Sequence, residues 1–200
     1  MSDPPIDAHS AVATAANIDR TSGKRLNQGL LTGMGRKTLI ETLGVDENKG
    51  NELYDQYFKA MPEIKELQKE AASVMRHRGY VVSLLGRRAR NEKAHNGRDF
   101  SYKAVNRLLQ CGNADIIKSS IANIHESLEN DGSSSVRMLT NIHDSIDFQF
   151  YENDRQTYNH CLKIMRDFGP GKSIDLKIPM ELDTGEGPNW EIASYGEKKV

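Results

Sequence analysis

The hydrophobic period of the chain changes near residue 136, and that change limits the folds open to it. Between residues 9 and 129 the apolar side chains recur every three or four residues, the mark of amphipathic helices. From Val136 the pattern becomes strand-like: Val136, Leu139 and Ile142, then Ile146, Phe148 and Phe150, sit in two strand-like runs. His143-Asp144-Ser145 lies between these runs, where the tip of a hairpin falls. Helical spacing returns over 152–168 and stops at Gly169-Pro170, and a last strand is expected at 177–182 (KIPMEL). Helices, a hairpin, then helix and strand make an α+β chain; the alternating strand–helix series of a parallel α/β sheet is missing.

Within the helical part, punctuation residues set the boundaries. Asp3-Pro4-Pro5 bars helix at the start. Helices are expected over 9–17, 19–35, 37–43, 48–61 and 63–77, with Pro62 joining the last two. Gly44 and Gly79 are placed to end the third and fifth. Leu53, Tyr57 and Met61, then Ile64, Leu67, Ala71 and Val74, form the expected inner faces of 48–61 and 63–77. Residues 80–85 (YVVSLL) suit a short strand that turns at Gly86 into Arg87-Arg88, before a polar loop at 91–99. A long helix follows over 100–129, with a bend expected near Cys111-Gly112-Asn113.

A net charge of −1 conceals a segregation of sign. Residues 76–103 carry eight Lys or Arg against Glu92 and Asp99, whereas residues 126–159 carry seven acids against Arg137 and Arg155. The basic strip suits a polyanion, whose neutralised phosphates release counterions; solvated faces of opposite sign would leave the same pattern. Two cysteines give no disulfide framework and point to a reducing compartment. The N-terminus lacks the basic and apolar regions of a secretory signal, and no apolar run approaches the ~20 residues that span a bilayer. The expectation is a cytoplasmic protein without a membrane partner.

The stretch DRTSGKRLNQGLLTGMG (19–35) carries the first candidate site. Arg20, Lys24 and either Asn27 or Gln28 recur every three or four residues and share one helix face, with Asp19 or Thr21 as the cap. Each interior glycine costs a helix roughly 1 kcal/mol against alanine, so Gly29 and Gly33 need a reason. Two cations beside glycines that admit a close neighbour fit a triphosphate next to a stacked base; a solvated basic helix is the plainer alternative. Asp144 at the hairpin tip is held rigidly in open space, as a Mg²⁺ ligand must be, although aspartate is also a common turn former. Asn106 and Gln110, four residues apart on the long helix, present amides able to touch a base edge, or form a polar helix edge. Arg87-Arg88 fits phosphate contact as well as an ordinary basic loop.

Other signals fail on spacing. Residues 169–173 (GPGKS) would need glycine at 166 for a phosphate-binding loop and have Arg166. The histidines and cysteines lack zinc-ligand spacing.

In order along the chain stand R-x-x-x-K-x-x-N-x-G-x-x-x-G, G-Y-V-x-x-L-x-G-R-R, N-x-x-x-Q-x-x-x-A-D-I-I-K, an apolar hairpin with H-D at its tip, and G-P-N-W. This series resembles the polymerase domain of family A DNA polymerases, particularly phage-type ones, from about His9 to Trp190. The resemblance implies a lead-in over 1–18, a fingers-like helical region over 19–78 and the C-terminal palm over 79–200. It implies that Arg20, Lys24, Gln28 and Thr32 lie at the incoming deoxynucleoside triphosphate, with Lys24 also able to protonate the leaving pyrophosphate. Arg87, Arg88, Asn106 and Gln110 would contact primer–template DNA, and His143-Asp144 would form the palm motif whose Asp144 binds catalytic Mg²⁺.

The departures from that pattern are specific. Gln28 stands where the family has an aromatic residue, Thr32 where it has tyrosine, Ser145 where it has glutamate and Tyr102 where it has arginine. The family's other metal-binding aspartate belongs to motif A, upstream of the segment resembling DPPIDAHSAVA. The resemblance therefore implies a fragment or subunit that works with a segment carrying motif A, inactive as an isolated chain, and acting in a bacterial cytoplasm if phage-encoded. A catalytically inactive remnant and a nucleic-acid-binding accessory domain are the alternatives.

Overall fold

The computed structural model describes residues 8–92, 97, 99–132, 135–168, 172, 174–177 and 180–196. It divides into two compact units, Met1–Gly112 and Asn113–Val200.

The first unit is built on helices whose caps are written in the sequence. Helix α1 spans Ala8–Ala16 and α2 spans Arg20–Leu31. Asp19 caps α2: its carboxylate accepts from the Ser22 backbone N–H at 3.0 Å and from the Ser22 hydroxyl at 2.5 Å. Those bonds, the Ser22 hydroxyl's first, hold the Asp19 pKa below the usual carboxylate range. Helix α3 (Arg36–Leu43) ends on Gly44 at φ 64°, a left-handed conformation that suits glycine. Helix α4 (Glu47–Ala60) starts from Asp46, and α5 (Pro62–Arg78) has Pro62 in its first turn, where no N–H is needed. Ala16, Leu26, Leu30, Leu39, Leu53, Tyr57 and Phe58 from α1–α4 close into one core. Full burial of Leu30 and Leu39 is worth roughly 1.5–3 kcal/mol each.

A second core in this unit joins Ala71 and Met75 of α5 to Val81, Ala104 and Val105. Strand β1 (Tyr80–Val82) pairs antiparallel with β2 (Arg88–Arg90), Val81 opposite Ala89. A 3-10 turn at Ser101–Lys103 leads into helix α6, Ala104–Asn130, which runs from this unit into the second. The bend expected at 111–113 does not interrupt the helix. The inner face of α5 also differs from expectation. Leu67 and Val74 are 44% and 38% exposed, while Ala72 and Met75 are buried beside Ala71. The buried stripe is thus rotated by one residue.

In the second unit, strand β3 (Val136–Ile142) pairs antiparallel with β4 (Ser145–Phe150). Val136 joins Ile124, Leu128, Tyr158, Cys161 and Met165 in a core, against which Met138, Ile146, Phe148 and Phe150 pack. A register shift between Met138 and Thr140 leaves Leu139 61% exposed rather than inward. Such a bulge turns one residue out of the alternation. Helix α7 (Arg155–Arg166) follows a 3-10 turn at Glu152–Asp154, and a short helix α8 covers Trp190–Tyr195. The Arg155 guanidinium donates to both oxygens of Glu186 at 2.8 and 2.6 Å. Residues 177 and 180–182 carry no strand, and each sheet among the described residues has two strands only. A strand requires a neighbouring ladder, and residues 177 and 180–182 have none among the described residues; residues 178 and 179 of KIPMEL lie outside them.

Candidate functional site

Helix α2 separates two stripes. Arg20, Lys24 and Gln28 are exposed along one side, while Gly23, Leu26 and Leu30 are buried on another. The choice between Asn27 and Gln28 is thereby decided. Asn27 is half-buried; its Oδ1 accepts from the Tyr57 hydroxyl at 2.9 Å, and its Nδ2 lies 3.2 Å from Nδ1 of His9. Its amide is spent on α4 and α1, and Gln28 continues the outward stripe. Burial pushes the Tyr57 hydroxyl up to about 12, so it is a neutral donor at ordinary pH. Arg20 also lines an open polar cavity of about 390 Å³ with Ser10, Thr14 and Asn17.

The glycines of this stretch have structural reasons that differ from one another. A Cβ at Gly23 would lie 2.6 Å from the Ala13 Cβ and 2.8 Å from the His9 carbonyl oxygen. Gly23 therefore sets how closely α2 approaches α1. At Gly29 a Cβ would meet only the end of the Met34 side chain, 2.3 Å from its Cε. Gly33 lies beyond the helix, which ends at Leu31 rather than continuing to 35, and has φ 96°. The Thr32 hydroxyl donates to the Gln28 and Gly29 carbonyls at 2.8 and 3.1 Å, closing the last turn of α2.

Two residues that sequence reasoning passed over complete the setting of α2. One is His9, which meets Asn27 as described. The other is Gln68 of α5, whose Nε2 donates to the Leu30 and Leu31 carbonyls at 2.5 and 3.1 Å. A signal for it exists: Gln68 interrupts the α5 stripe of Ile64, Ala71, Ala72 and Met75 with a polar side chain.

Arg87 and Arg88 are exposed on the β1–β2 hairpin, with the Arg88 guanidinium 4.9 Å above the Tyr80 ring. The hairpin packs through Val81 and Ala89 onto Val105 and Leu108 of α6. Asn106 (half-buried) and Gln110 (exposed) sit one turn apart on that same part of α6. The structure thus brings the two arginines and the two amides onto one body with α2.

In the second unit His143 and Asp144 are the two exposed residues connecting β3 to β4. His143 has φ 55°, the left-handed backbone that two-residue hairpin turns demand. Ser145 is turned back into the hairpin, its hydroxyl donating to the Ile142 carbonyl at 2.9 Å. The Asn141 amide donates to the Ser145 carbonyl at 2.7 Å. Among the described residues no group of three His, Cys, Asp or Glu side chains is placed to hold a metal ion. Asp144 presents one hard oxygen ligand at an exposed turn, which could supply a single ligand to a Mg²⁺ ion and not a full set.

The fold is that of a polymerase domain. It superposes on the structure of the POL domain of Pol1 from M. smegmatis, in complex with DNA primer-template and dNTP, with a TM-score of 0.82. That match covers 94% of this chain and 35% of the other, at 24% identity. The model of DNA polymerase family A matches residues 7–192, and the chain belongs to that family. It is 27% identical over 220 residues to DNA polymerase DpoZ of Acinetobacter phage SH-Ab 15497, covering 97% of this chain and 34% of that protein. It is 23% identical over 180 residues to DNA polymerase I of Rhizobium leguminosarum, covering 87% of this chain and 18% of that one. The chain therefore spans about a fifth to a third of the length of these relatives. No helix among the described residues is long and apolar enough to cross a membrane.

Proposed function

We propose that this chain is the nucleotide-binding fingers and C-terminal palm of a family A DNA polymerase, adding deoxynucleotides to a primer on a template. On this reading residues 1–18 lead in, 19–78 form the fingers region and 79–200 belong to the palm. The supporting observation is α2: an N-capped helix seated in a core on one side and presenting Arg20, Lys24 and Gln28 on the other. Arg20 and Lys24 neutralise the triphosphate, and Lys24 can give a proton to the departing pyrophosphate. With Thr32 bonded to the end of its own helix and no ring at position 28, an amide replaces aromatic stacking beside the new base pair. Arg87 and Arg88 hold the DNA backbone, while Asn106 and Gln110 face the primer–template near that pair.

Asp144 would hold a catalytic Mg²⁺, with His143 beside it at the turn. Bound divalent ions in such a site stabilise the charge that develops on the attacking and leaving oxygens. The remaining ligands would come from substrate phosphates and from a carboxylate on a partner segment carrying motif A. The test is primer extension by this chain together with a family A segment bearing that carboxylate. Lys24→Ala and Asp144→Asn should each lower incorporation at least a hundredfold, with primer–template binding retained. Incorporation unchanged by Lys24→Ala would overturn the assignment of α2, and no incorporation by the wild-type pair would favour a remnant that only binds DNA.

A further inference from the structure

We propose that Gln68 is a positioning residue that fixes the direction of the α2 stripe, acting on nucleotide binding from another helix. The proposal rests on the assignment of Arg20 and Lys24 to the triphosphate. The last carbonyls of a helix lack intrahelical donors, and an end that carries them free frays. Here the Leu30 carbonyl takes the Gly33 N–H at 3.2 Å, and the α5 amide of Gln68 adds a donor to Leu30 and Leu31 together, at 2.5 and 3.1 Å. Gly33 and Thr32 crowd the same turn: a Cβ at Gly33 would stand 3.0 Å from the Tyr102 carbonyl, and Thr32 closes the Gln28 and Gly29 carbonyls.

A second bond set fixes the middle of the helix. Asn27 is held from both sides, by Tyr57 of α4 and by His9 of α1. Two anchors, one at residue 27 and one at 30–31, define the rotation of α2 about its axis as well as its end point. Leu26 and Leu30 alone would fix depth without fixing rotation, because apolar packing is non-directional. A few degrees of rotation redirect Lys24, whose long side chain lies one turn before Asn27 and Gln28. Gln68 itself is half-buried on the inner side of α5, so it anchors the helix without contacting the nucleotide.

The experiment compares Gln68→Lys, Gln68→Glu and Gln68→Met with Lys24→Ala. Lysine keeps a donor for helix-terminal carbonyls, glutamate keeps the shape with a charge and no donor, and methionine keeps the length with no polar group. Amide hydrogen exchange of the 200-residue chain reads the anchor itself. Exchange in residues 28–33 should accelerate about threefold to tenfold in the Glu and Met variants, the range spanned by one lost hydrogen bond. It should stay near wild type in Gln68→Lys. Titration of Mg²⁺-dATP onto the chain with a primer–template whose first unpaired template base is thymine reads the consequence. The Glu and Met variants should bind the nucleotide more weakly by a similar factor, with affinity for the primer–template itself unchanged and Gln68→Lys restored. Unchanged exchange in Gln68→Met overturns the anchor. Accelerated exchange with unchanged nucleotide affinity, where Lys24→Ala does weaken binding, overturns its link to the site. If Lys24→Ala also leaves nucleotide affinity unchanged, the assignment of α2 fails and the link to the site falls with it.

Discussion

Replacing Gly23 by alanine sets two effects of known sign against each other. Alanine in a helix interior favours the helix by roughly 1 kcal/mol over glycine. Against this, the new Cβ would lie 2.6 Å from the Ala13 Cβ, 2.8 Å from the His9 carbonyl oxygen and 3.0 Å from the Ala13 Cα. Two of those three atoms are backbone of α1, so no rotamer change relieves the contact, and α1 and α2 must separate by about 1 Å to reach van der Waals distance. Overpacking costs about 1–3 kcal/mol, and two contacts to fixed backbone put this case in the upper half of that range, so after the helix gain of roughly 1 kcal/mol the net destabilisation should be about 1–2 kcal/mol. Gly29→Ala in the same helix is the internal control. Its Cβ would meet Met34 at Cε, 2.3 Å away, and at Sδ, 2.9 Å away, atoms of a flexible chain that can swing aside. That variant should be neutral or up to about 1 kcal/mol more stable. Urea unfolding of the two single variants measures the difference, predicted at about 2 kcal/mol. If Gly23→Ala is as stable as Gly29→Ala, close approach of α1 is not what glycine is needed for at 23.

Two further outcomes follow from the same geometry. Tyr57 has its ionisation pushed up to about 12 from 10.0 by burial, so its neutral form stabilises the fold fully below pH 10. That contribution, about 2–3 kcal/mol, should disappear as pH rises from 10 to 12, and denaturation followed against pH should show a larger loss in the wild type than in Tyr57→Phe, where burial still raises Tyr158 and Cys161. Arg88→Ala should weaken duplex binding evenly across sequences and reduce the salt slope by about one, as read from fluorescence-anisotropy titrations at several salt concentrations.

Much of this arrangement was present in the sequence, for reasons that vary by element. The β3–β4 hairpin could be read because alternation and a two-residue turn are local, and its tip falls on His143-Asp144. Leu139 could not be placed, since a bulge depends on the ladder opposite and not on the strand's own pattern. Helix ends were readable where a cap is local, at Asp19, Gly44 and Gly79. The inner face of α5 lies one position from where periodicity puts it, because Leu67 and Val74 are apolar yet exposed and a half-buried glutamine counts as outward. Gln68 is inward because carbonyls of α2 require a donor, a tertiary fact. Arg20, Lys24 and Gln28 were found as a stripe, yet only the Tyr57 and His9 bonds show that Asn27 belongs to the other side.

The most direct measurement is single-nucleotide incorporation by this chain combined with a family A segment supplying the motif-A carboxylate, compared with each part alone. Incorporation by the pair, none by either part, and its loss on Lys24→Ala or Asp144→Asn is the predicted result. Incorporation that survives both substitutions would contradict the assignment of nucleotide to α2 and metal to the β3–β4 tip.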